Sequence, residues 1–280
     1  MQLVAIIGAG ELGGVVAHAL ARRNLVRSVV LIDETGRVAA GKALDITQAA
    51  PVEGFATELS GATDVAAAAG AAIVILADAV GGGEWQGASG LLLLKRIAQM
   101  APRGVILCAG ATQRELVDRG VRELHLNRSR LFGSAPEALV GGARAIVALA
   151  VNGSPRDVAV SVLGVPPAQI VIPWEDATIA GFSITRRLDE PTRRRLGARV
   201  AALWPPGPYA LASAAALVVE VMAGRTRRIA SCFVAPDVSA GRRTRTAAMP
   251  VCLSASGVVE VVLPPLSAID RVALDSAIQL

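Results

Sequence analysis

The sequence predicts an α/β fold, in which a doubly wound parallel sheet is followed by an α+β region. Short, continuous apolar runs in the first half are typical of buried parallel strands. Segments with helical periodicity alternate with these runs, as successive βαβ units require. After about Gly141 the alternation is lost and antiparallel structure is favoured. We therefore expect one domain at residues 1–141 and a second at residues 142–280.

The elements of the first half follow one another as strand and helix. Strands are predicted at residues 2–7, 28–32, 54–59, 71–77, 105–109 and 130–133, the third of them weak. Helices are predicted from the first glycine-rich turn to residue 23 and at residues 38–50, 89–100 and 113–124. This order predicts a parallel sheet with helices on both faces.

The second half mixes helices and strand-like pieces. Helices are predicted at residues 143–151, 191–203 and 210–222, with a short closing helix from Leu266. Strands are predicted at residues 158–163, 169–172, 229–234 and 258–262. Strands without regular helical crossovers between them predict antiparallel pairing.

Composition indicates a folded chain with a core of small aliphatic side chains. Of the 280 residues, 53% are hydrophobic and 18% charged, and aromatic residues make up 3%. The net charge of +5 comes from scattered arginines, the densest being residues 193–195 and Arg242, Arg243 and Arg245. No aromatic residues interleave with them, so we interpret them as solvated faces and expect no nucleic-acid partner.

The three cysteines favour a reducing compartment. Cys108, Cys232 and Cys252 are widely spaced and odd in number, which argues against a disulfide framework or a zinc site. No basic stretch precedes the first apolar run, so a signal peptide is not predicted. The long apolar stretch at residues 65–77 is shorter than the about 20 residues that span a bilayer. We expect a soluble cytoplasmic protein without a membrane partner.

A glycine-rich turn joins the first strand to the first helix and predicts a phosphate site. Its first glycine permits a tight turn, the second lets the backbone approach a pyrophosphate, and the third lets the helix pack closely on the strand. The N–H groups that open the helix then face the phosphates. The residues predicted to bind a dinucleotide here are Gly8, Gly10, Glu11, Leu12 and Gly13.

Asp33 ends the second strand, twenty residues after Gly13. A carboxylate at this place can accept hydrogen bonds from the adenosine ribose and would repel a 2′-phosphate, so NAD is favoured over NADP. Arg37 nearby weakens that preference. Together these features predict a Rossmann dinucleotide-binding domain; the alternative is a glycine-rich turn without a ligand.

The chain resembles the lactate/malate dehydrogenase family, above all its lactate-dehydrogenase-like malate dehydrogenases. The segments that carry the resemblance are residues 8–13 (GAGELG), 41–45 (GKALD), 50–52 (APV), 130–133 (RLFG), 180–181 (AG) and 207–210 (GPYA). The resemblance implies a Rossmann domain followed by an α+β substrate domain, in dimers or tetramers. It also implies hydride transfer between NAD and the C2 atom of a small 2-hydroxy or 2-keto acid.

The family's catalytic groups are missing at the matching positions. The family uses a His as acid–base, an Asp that orients it, an Arg that grips the substrate carboxylate and a second Arg on a mobile loop. Here Pro166 stands for the His, Leu139 for the Asp and Gly142 for the first Arg. The mobile loop matches residues 78–85, which contain no cation, and Ala109 replaces a substrate-positioning Asn. We therefore predict no catalytic residues of the family type and no metal site.

Other polar residues are weaker candidates. Those expected near a substrate pocket or its rim are Glu137, Arg144, Gln169, Glu175 and Asp176. Glu84 and Trp85 could cover a cofactor or pack against a partner, and Cys108 is expected to be buried and inert. The two histidines, His18 and His125, are expected to be structural.

Three functions stay open at this point. The leading hypothesis is a family member that keeps the fold, the dinucleotide site and an oligomeric interface, and serves in sensing, scaffolding or regulation. The second is an active NAD-dependent oxidoreductase with a less polar substrate. The third is a structural or partner-binding protein whose nucleotide groove is empty.

Overall fold

The computed structural model of the protein describes residues 2–237 and 244–279. Its α-helices in these ranges are α1 (Glu11–Arg22), α2 (Gly36–Glu53), α3 (Gly87–Met100), α4 (Arg114–Glu123), α5 (Ala135–Ala150), α6 (Glu190–Ala201), α7 (Pro208–Met222) and α8 (Ala268–Ile278). Short 3-10 helices lie at Val65–Ala68, Pro155–Asp157 and Ile184–Arg186.

The strands are mostly short. Those of the first half are β1 (Leu3–Ile7), β2 (Ser28–Ile32), β3 (Glu58–Ala62), β4 (Ile73–Leu76), β5 (Asp78–Ala79), β6 (Gly83–Glu84), β7 (Val105–Cys108) and β8 (Leu131–Gly133). Those of the second half are β9 (Val158–Ala159), β10 (Leu163–Val165), β11 (Gln169–Val171), β12 (Thr178–Ile179), β13 (Phe182–Ser183), β14 (Ala230–Val234), β15 (Ala247–Ser254) and β16 (Gly257–Val261).

The main sheet has the doubly wound order that the sequence predicts. Its strands lie in the order β11-β10-β15-β14-β8-β7-β4-β1-β2-β3, and β16 pairs with β15. The six strands from β8 to β3 run parallel. After β3 the chain crosses back to the other side of β1, so the winding direction reverses between β1 and β4. In such sheets the crevice at this reversal, outside the carboxyl ends of the strands, is where ligands bind.

The sheet continues from the first half of the chain into the second. Strand β14 lies antiparallel to β8 at the pair Phe233–Gly133, and β15 and β10 extend the sheet further. Helix α5 runs across the predicted boundary between residues 141 and 142. The antiparallel strand pairing predicted after Gly141 is confirmed. The division into domains at residues 1–141 and 142–280 stays a prediction.

Apolar layers cover both faces of the sheet. One layer packs α1 and α7 against β1, β4 and β14, with Ile6 and Phe233 fully buried. The other packs α3 and α4 against the opposite face, around Leu76 and Leu94. Because helices cover both faces of the sheet, β1, β4 and β7 are buried on both sides. Continuous apolar runs therefore predicted these strands correctly.

Several elements differ from the sequence prediction. The strand predicted at residues 158–163 is divided between β9 and β10, which lie in different sheets, and the short strands β5, β6, β12 and β13 were not predicted. Strand β3 begins at Glu58 rather than at residue 54, because it is a partly exposed edge strand without a continuous apolar run. Helix α5 begins at Ala135, since Pro136 occupies the first turn, where a proline costs no hydrogen bond. Strand β15 was not predicted, because it contains a proline, Pro250.

Two further expectations concern the surface. No helix in residues 2–237 and 244–279 is long and apolar enough to cross a membrane. Arg194 and Arg195 are exposed on α6, where Arg194 pairs with Glu190 one turn earlier. Arg242 and Arg243, the other basic group, lie outside the described residues.

Candidate dinucleotide site

The glycine turn lies at the crevice between β1 and β4 and requires two of its glycines. Gly8 has a φ of +104°, and a Cβ there would lie 2.3 Å from the Asp78 carbonyl oxygen. A Cβ on Gly13 would lie 2.0 Å from the Gly8 carbonyl oxygen. The turn and the first turn of α1 are therefore packed backbone against backbone, as the glycine spacing predicts.

Asp33 lies at the end of β2, as predicted, but its carboxylate is used by the protein backbone. It is 7% exposed and accepts hydrogen bonds from the backbone N–H groups of Ala9 (2.9 Å), Thr35 (2.9 Å) and Val80 (3.0 Å). Burial alone would raise the pKa of Asp33, but these hydrogen bonds outweigh it and hold the pKa below its usual value. Asp33 thus ties together the glycine turn, the start of α2 and the loop after β4.

The start of α1 already holds an anion, the side chain of Asp78. Its carboxylate accepts hydrogen bonds from the N–H groups of Gly13 (2.9 Å) and Leu12 (3.2 Å), and its backbone carbonyl accepts from Gly10 (2.9 Å). A Cβ on Gly10 would lie 2.4 Å from the carboxyl carbon of Asp78. The space that the glycine leaves open is therefore filled by a carboxylate of the same chain. Of the residues predicted to bind here, Glu11 is exposed in the first turn.

A cleft next to the turn has the size and lining for a nucleoside. It has a volume of about 470 Å³ and lies between the ends of β1 and β2 and helix α3. Asp33, Asp64, Trp85 and Arg96 line it. The Trp85 indole Nε1 is buried and has no hydrogen-bond partner within the described residues. The nucleoside half of a dinucleotide fits these residues, whereas the pyrophosphate fits only after the Asp78 carboxylate leaves α1.

The glycine-rich loop after β4 is held in place by Glu84. Strands β5 and β6 pair as a small hairpin, and the Glu84 carboxylate accepts hydrogen bonds from the N–H groups of Ala111 (2.9 Å) and Thr112 (2.7 Å). Glu84 thus fastens this loop to the one after β7. Trp85 packs on the apolar layer of α3 and α4.

The positions that match the family's catalytic groups are apolar and packed. Leu139 is fully buried in the core between α5 and α6, and Ala109 is fully buried directly after β7. A Cβ on Gly142 would lie 2.4 Å from a methyl group of Leu203. Pro166 is buried at the end of β10.

Glu137 is the buried carboxyl group of the second half. It is 7% exposed on α5 and accepts a hydrogen bond from the Ser231 N–H (2.7 Å). Burial raises the pKa of Glu137 to about 7, although Ser231, Arg228 and Arg144 act to lower it. Such a carboxyl group is partly ionised at neutral pH.

Cavities adjoin Glu137 on more than one side. One of about 430 Å³ lies toward α7, and one of about 610 Å³ also includes Arg144 and Asp176. The structure therefore brings together three of the predicted rim residues. Gln169 lies apart from these three residues, and its side-chain oxygen accepts a hydrogen bond from Arg245. Glu175 is exposed.

The remaining candidates from the sequence are the two histidines and Cys108. His18 contacts the Glu53 carboxylate at 3.1 Å, and His125 follows α4 with a φ of +54°. Cys108 is fully buried, and burial together with the charge of Glu84 raises the pKa of its thiol to about 12. Within residues 2–237 and 244–279, no three His, Cys, Asp or Glu side chains cluster as metal ligands.

Comparison with known proteins supports a dinucleotide-binding domain in the first half of the chain. Residues 2–100 match the NAD binding domain of lactate/malate dehydrogenase. The chain is 29% identical to a malate dehydrogenase of Thioalkalivibrio sulfidiphilus, over 99% of this chain and 96% of that protein. It is 27% identical to one of Desulforudis audaxviator, over 98% and 94% of the two chains.

Solved structures share the fold. The malate dehydrogenase of Salinibacter ruber superposes with a TM-score of 0.86 at 23% identity, covering 99% of this chain and 94% of that one. The lactate dehydrogenase of Cryptosporidium parvum, complexed with lactic acid and nicotinamide adenine dinucleotide, superposes with a TM-score of 0.87 at 19% identity, covering 99% and 94%. The sequence match and the shared fold support NAD as the cofactor of the domain that carries the glycine turn. Over nearly its whole length the chain is similar to malate dehydrogenases, and its first hundred residues match the NAD binding domain of lactate/malate dehydrogenase.

Proposed function

We propose that this chain is an NAD-binding member of the family that lacks 2-hydroxy acid dehydrogenase activity. The observation that carries the proposal is that the positions matching the family's catalytic groups hold Leu139, Gly142 and Pro166, none of which has a side chain that can transfer a proton or bind an anion. The protein then serves in sensing, scaffolding or regulation, with the dinucleotide as its ligand. Gly8, Gly10, Glu11, Leu12, Gly13 and Asp33 stay the predicted binding residues.

Chemistry supports the loss of activity. Reduction of a 2-keto acid needs a proton donor at the carbonyl oxygen, an anchor for the carboxylate and a cation that stabilises the developing oxyanion. A positioned acid–base contributes about 10²–10⁴ in rate, and one oxyanion donor about 10²–10³. The matching positions supply neither kind of group, and Ala109 offers no polar atom of its own side chain.

We expect NADH-dependent reduction of oxaloacetate and pyruvate to be at least about 10⁴-fold slower than in an active family member. The measurement is the loss of NADH absorbance under saturating substrate, with the Salinibacter ruber malate dehydrogenase as the positive control in the same buffer. A turnover number within the usual enzymatic range of about 1–10³ s⁻¹ would refute the proposal. Calorimetric titration with NAD and NADH separates a catalytically silent binder from a protein with an empty groove.

A second candidate function is that of an active oxidoreductase with a less polar substrate, and Glu137 is the observation that favours it. A carboxyl group with a pKa of about 7 can exchange a proton at neutral pH, and it adjoins cavities in the substrate half of the fold. In a screen of alcohols and ketones with NAD and NADH, turnover that Glu137→Gln abolishes and Glu175→Gln retains would establish this function. A screen without turnover would exclude it for the compounds tested.

A homo-oligomeric assembly, a dimer or tetramer, is part of the proposal. Several large apolar side chains on α2, α5 and α7 are exposed in the single chain, namely Leu44, Val52, Leu149 and Tyr209. A cytoplasmic location is also part of it, supported by the unpaired thiols of Cys108, Cys232 and Cys252. Light scattering on the purified protein measures the assembly.

A further inference from the structure

We infer that Asp78 is the residue that sets the dinucleotide affinity of this chain, because its carboxylate takes the place of the pyrophosphate at the start of α1. The inference rests on the proposed dinucleotide binding. It predicts a protein that accepts the nucleoside part of its ligand readily and gains little from the phosphates. Removal of the Asp78 carboxylate restores the phosphate site.

The backbone N–H groups of the glycine turn already donate hydrogen bonds to acceptors of the same chain. Leu12 and Gly13 donate to the Asp78 carboxylate, and Gly10 donates to the Asp78 carbonyl. Ala9 donates to Asp33. A pyrophosphate that enters must therefore replace Asp78 as the acceptor at the N-terminus of α1, where the helix dipole favours a negative group.

Charge prevents the two acceptors from sharing the site. The Asp78 carboxylate carries the same sign as a pyrophosphate, and like charges this close disfavour each other strongly in a partly buried place. Steric overlap adds to this, because the carboxyl carbon lies 2.4 Å from the position of a Cβ on Gly10, the space that a phosphate would use. Lys42, the nearby cation, donates to the Gly10 carbonyl and is also engaged.

The nucleoside cleft lies on the other side of the turn and stays open. Its lining by Asp33, Trp85 and Arg96 does not include Asp78. An uncharged nucleoside can therefore enter without moving the carboxylate. Because the two subsites are separate, Asp78 should weaken the binding of phosphate-containing ligands without weakening that of a nucleoside. A general loss of binding would weaken both.

The experiment compares adenosine, ADP and NAD by calorimetry on the full chain and its variants. For the wild-type chain we expect ADP and NAD to bind within about threefold of adenosine. For Asp78→Ala we expect ADP and NAD to bind at least tenfold tighter than they bind wild type, with adenosine unchanged. Asp78→Asn keeps the side-chain shape without the charge, and we expect a smaller gain in the same direction.

The controls separate this inference from charge and folding effects. Asp45→Asn removes the same charge from the exposed surface of α2 and should leave all three affinities unchanged. Circular dichroism and thermal melting establish that each variant is folded, and Asp78→Asn carries the test if Asp78→Ala is not. The inference is overturned if wild type binds ADP tenfold tighter than adenosine, if both Asp78 variants bind NAD as wild type does, or if no protein binds NAD or ADP. Dehydrogenase activity tests the proposed function separately, because turnover by wild type would refute that function without changing these affinity ratios.

Discussion

Replacement of Phe233 by alanine is expected to lower the free energy of unfolding by about 3–5 kcal/mol, the range typical of a buried phenylalanine. Phe233 is 1% exposed on β14 and meets the ring of Trp204 edge to face, with the centroids 5.8 Å apart. Its side chain also lies 3.3 Å from the position of a Cβ on Gly133, across the β8–β14 pair. The truncation would leave a cavity where the two halves of the sheet join.

The measurement is urea unfolding followed by circular dichroism at constant pH. Phe182→Ala is the matched control, because Phe182 is 62% exposed on the hairpin strand β13 and its truncation should cost less than about 0.5 kcal/mol. An equal loss for the two variants would contradict the role given to Phe233. A loss at Phe233 with an unchanged slope against urea would show that the unfolding transition itself is preserved.

Glu137 is expected to make the protein less stable as the pH rises from about 4.5 to about 7. The pKa of this carboxyl is raised from 4.5 to about 7 by burial, so the folded state binds more protons than the unfolded state in this interval. Stability from the protonated form is therefore complete below pH 4.5 and is lost as the pH passes through about 7. At about 1.4 kcal/mol per unit, the loss amounts to about 3 kcal/mol.

Glu137→Gln should remove this dependence. The amide oxygen can still accept the hydrogen bond from the Ser231 N–H, and no charge has to be buried at high pH. We expect the variant to be more stable than wild type by about 3 kcal/mol at pH 8 and nearly equal to it at pH 4.5. Urea unfolding at both pH values measures this, and Glu175→Gln, an exposed position, should follow wild type throughout. Parallel curves for wild type and Glu137→Gln would contradict the raised pKa.

The sequence predicted the parallel part of the fold because local signals determine it. Continuous apolar runs such as β1 and β4 are buried on both faces, and the turn between β1 and α1 has to contain glycine at Gly8 and Gly13. Strand β15 could not be predicted in the same way. Pro250 weakens the strand signal of β15. The strand is stabilised by pairing with β14, which is distant from it in the sequence.

The candidate site shows the same limit at the level of side chains. The position of Asp33 followed from the spacing of the turn and the second strand. Its contacts with Ala9 and Val80 did not, because they depend on how two loops meet. In the sequence, Asp78 is the first residue of the segment that matches the family's mobile loop. The signal available in the sequence is a carboxylate that directly follows the buried strand β4. Its contact with the start of α1 is formed only when the chain folds.

The pairing of β8 with β14 also has a consequence for how the chain is made. Gly133 and Phe233 are a hundred residues apart, so the apolar edge of β8 stays uncovered on the ribosome until most of the polypeptide has emerged. Contacts of such long sequence separation slow folding, and open strand edges favour aggregation while they wait. We therefore expect the nascent first half to be the form of this protein most prone to aggregation.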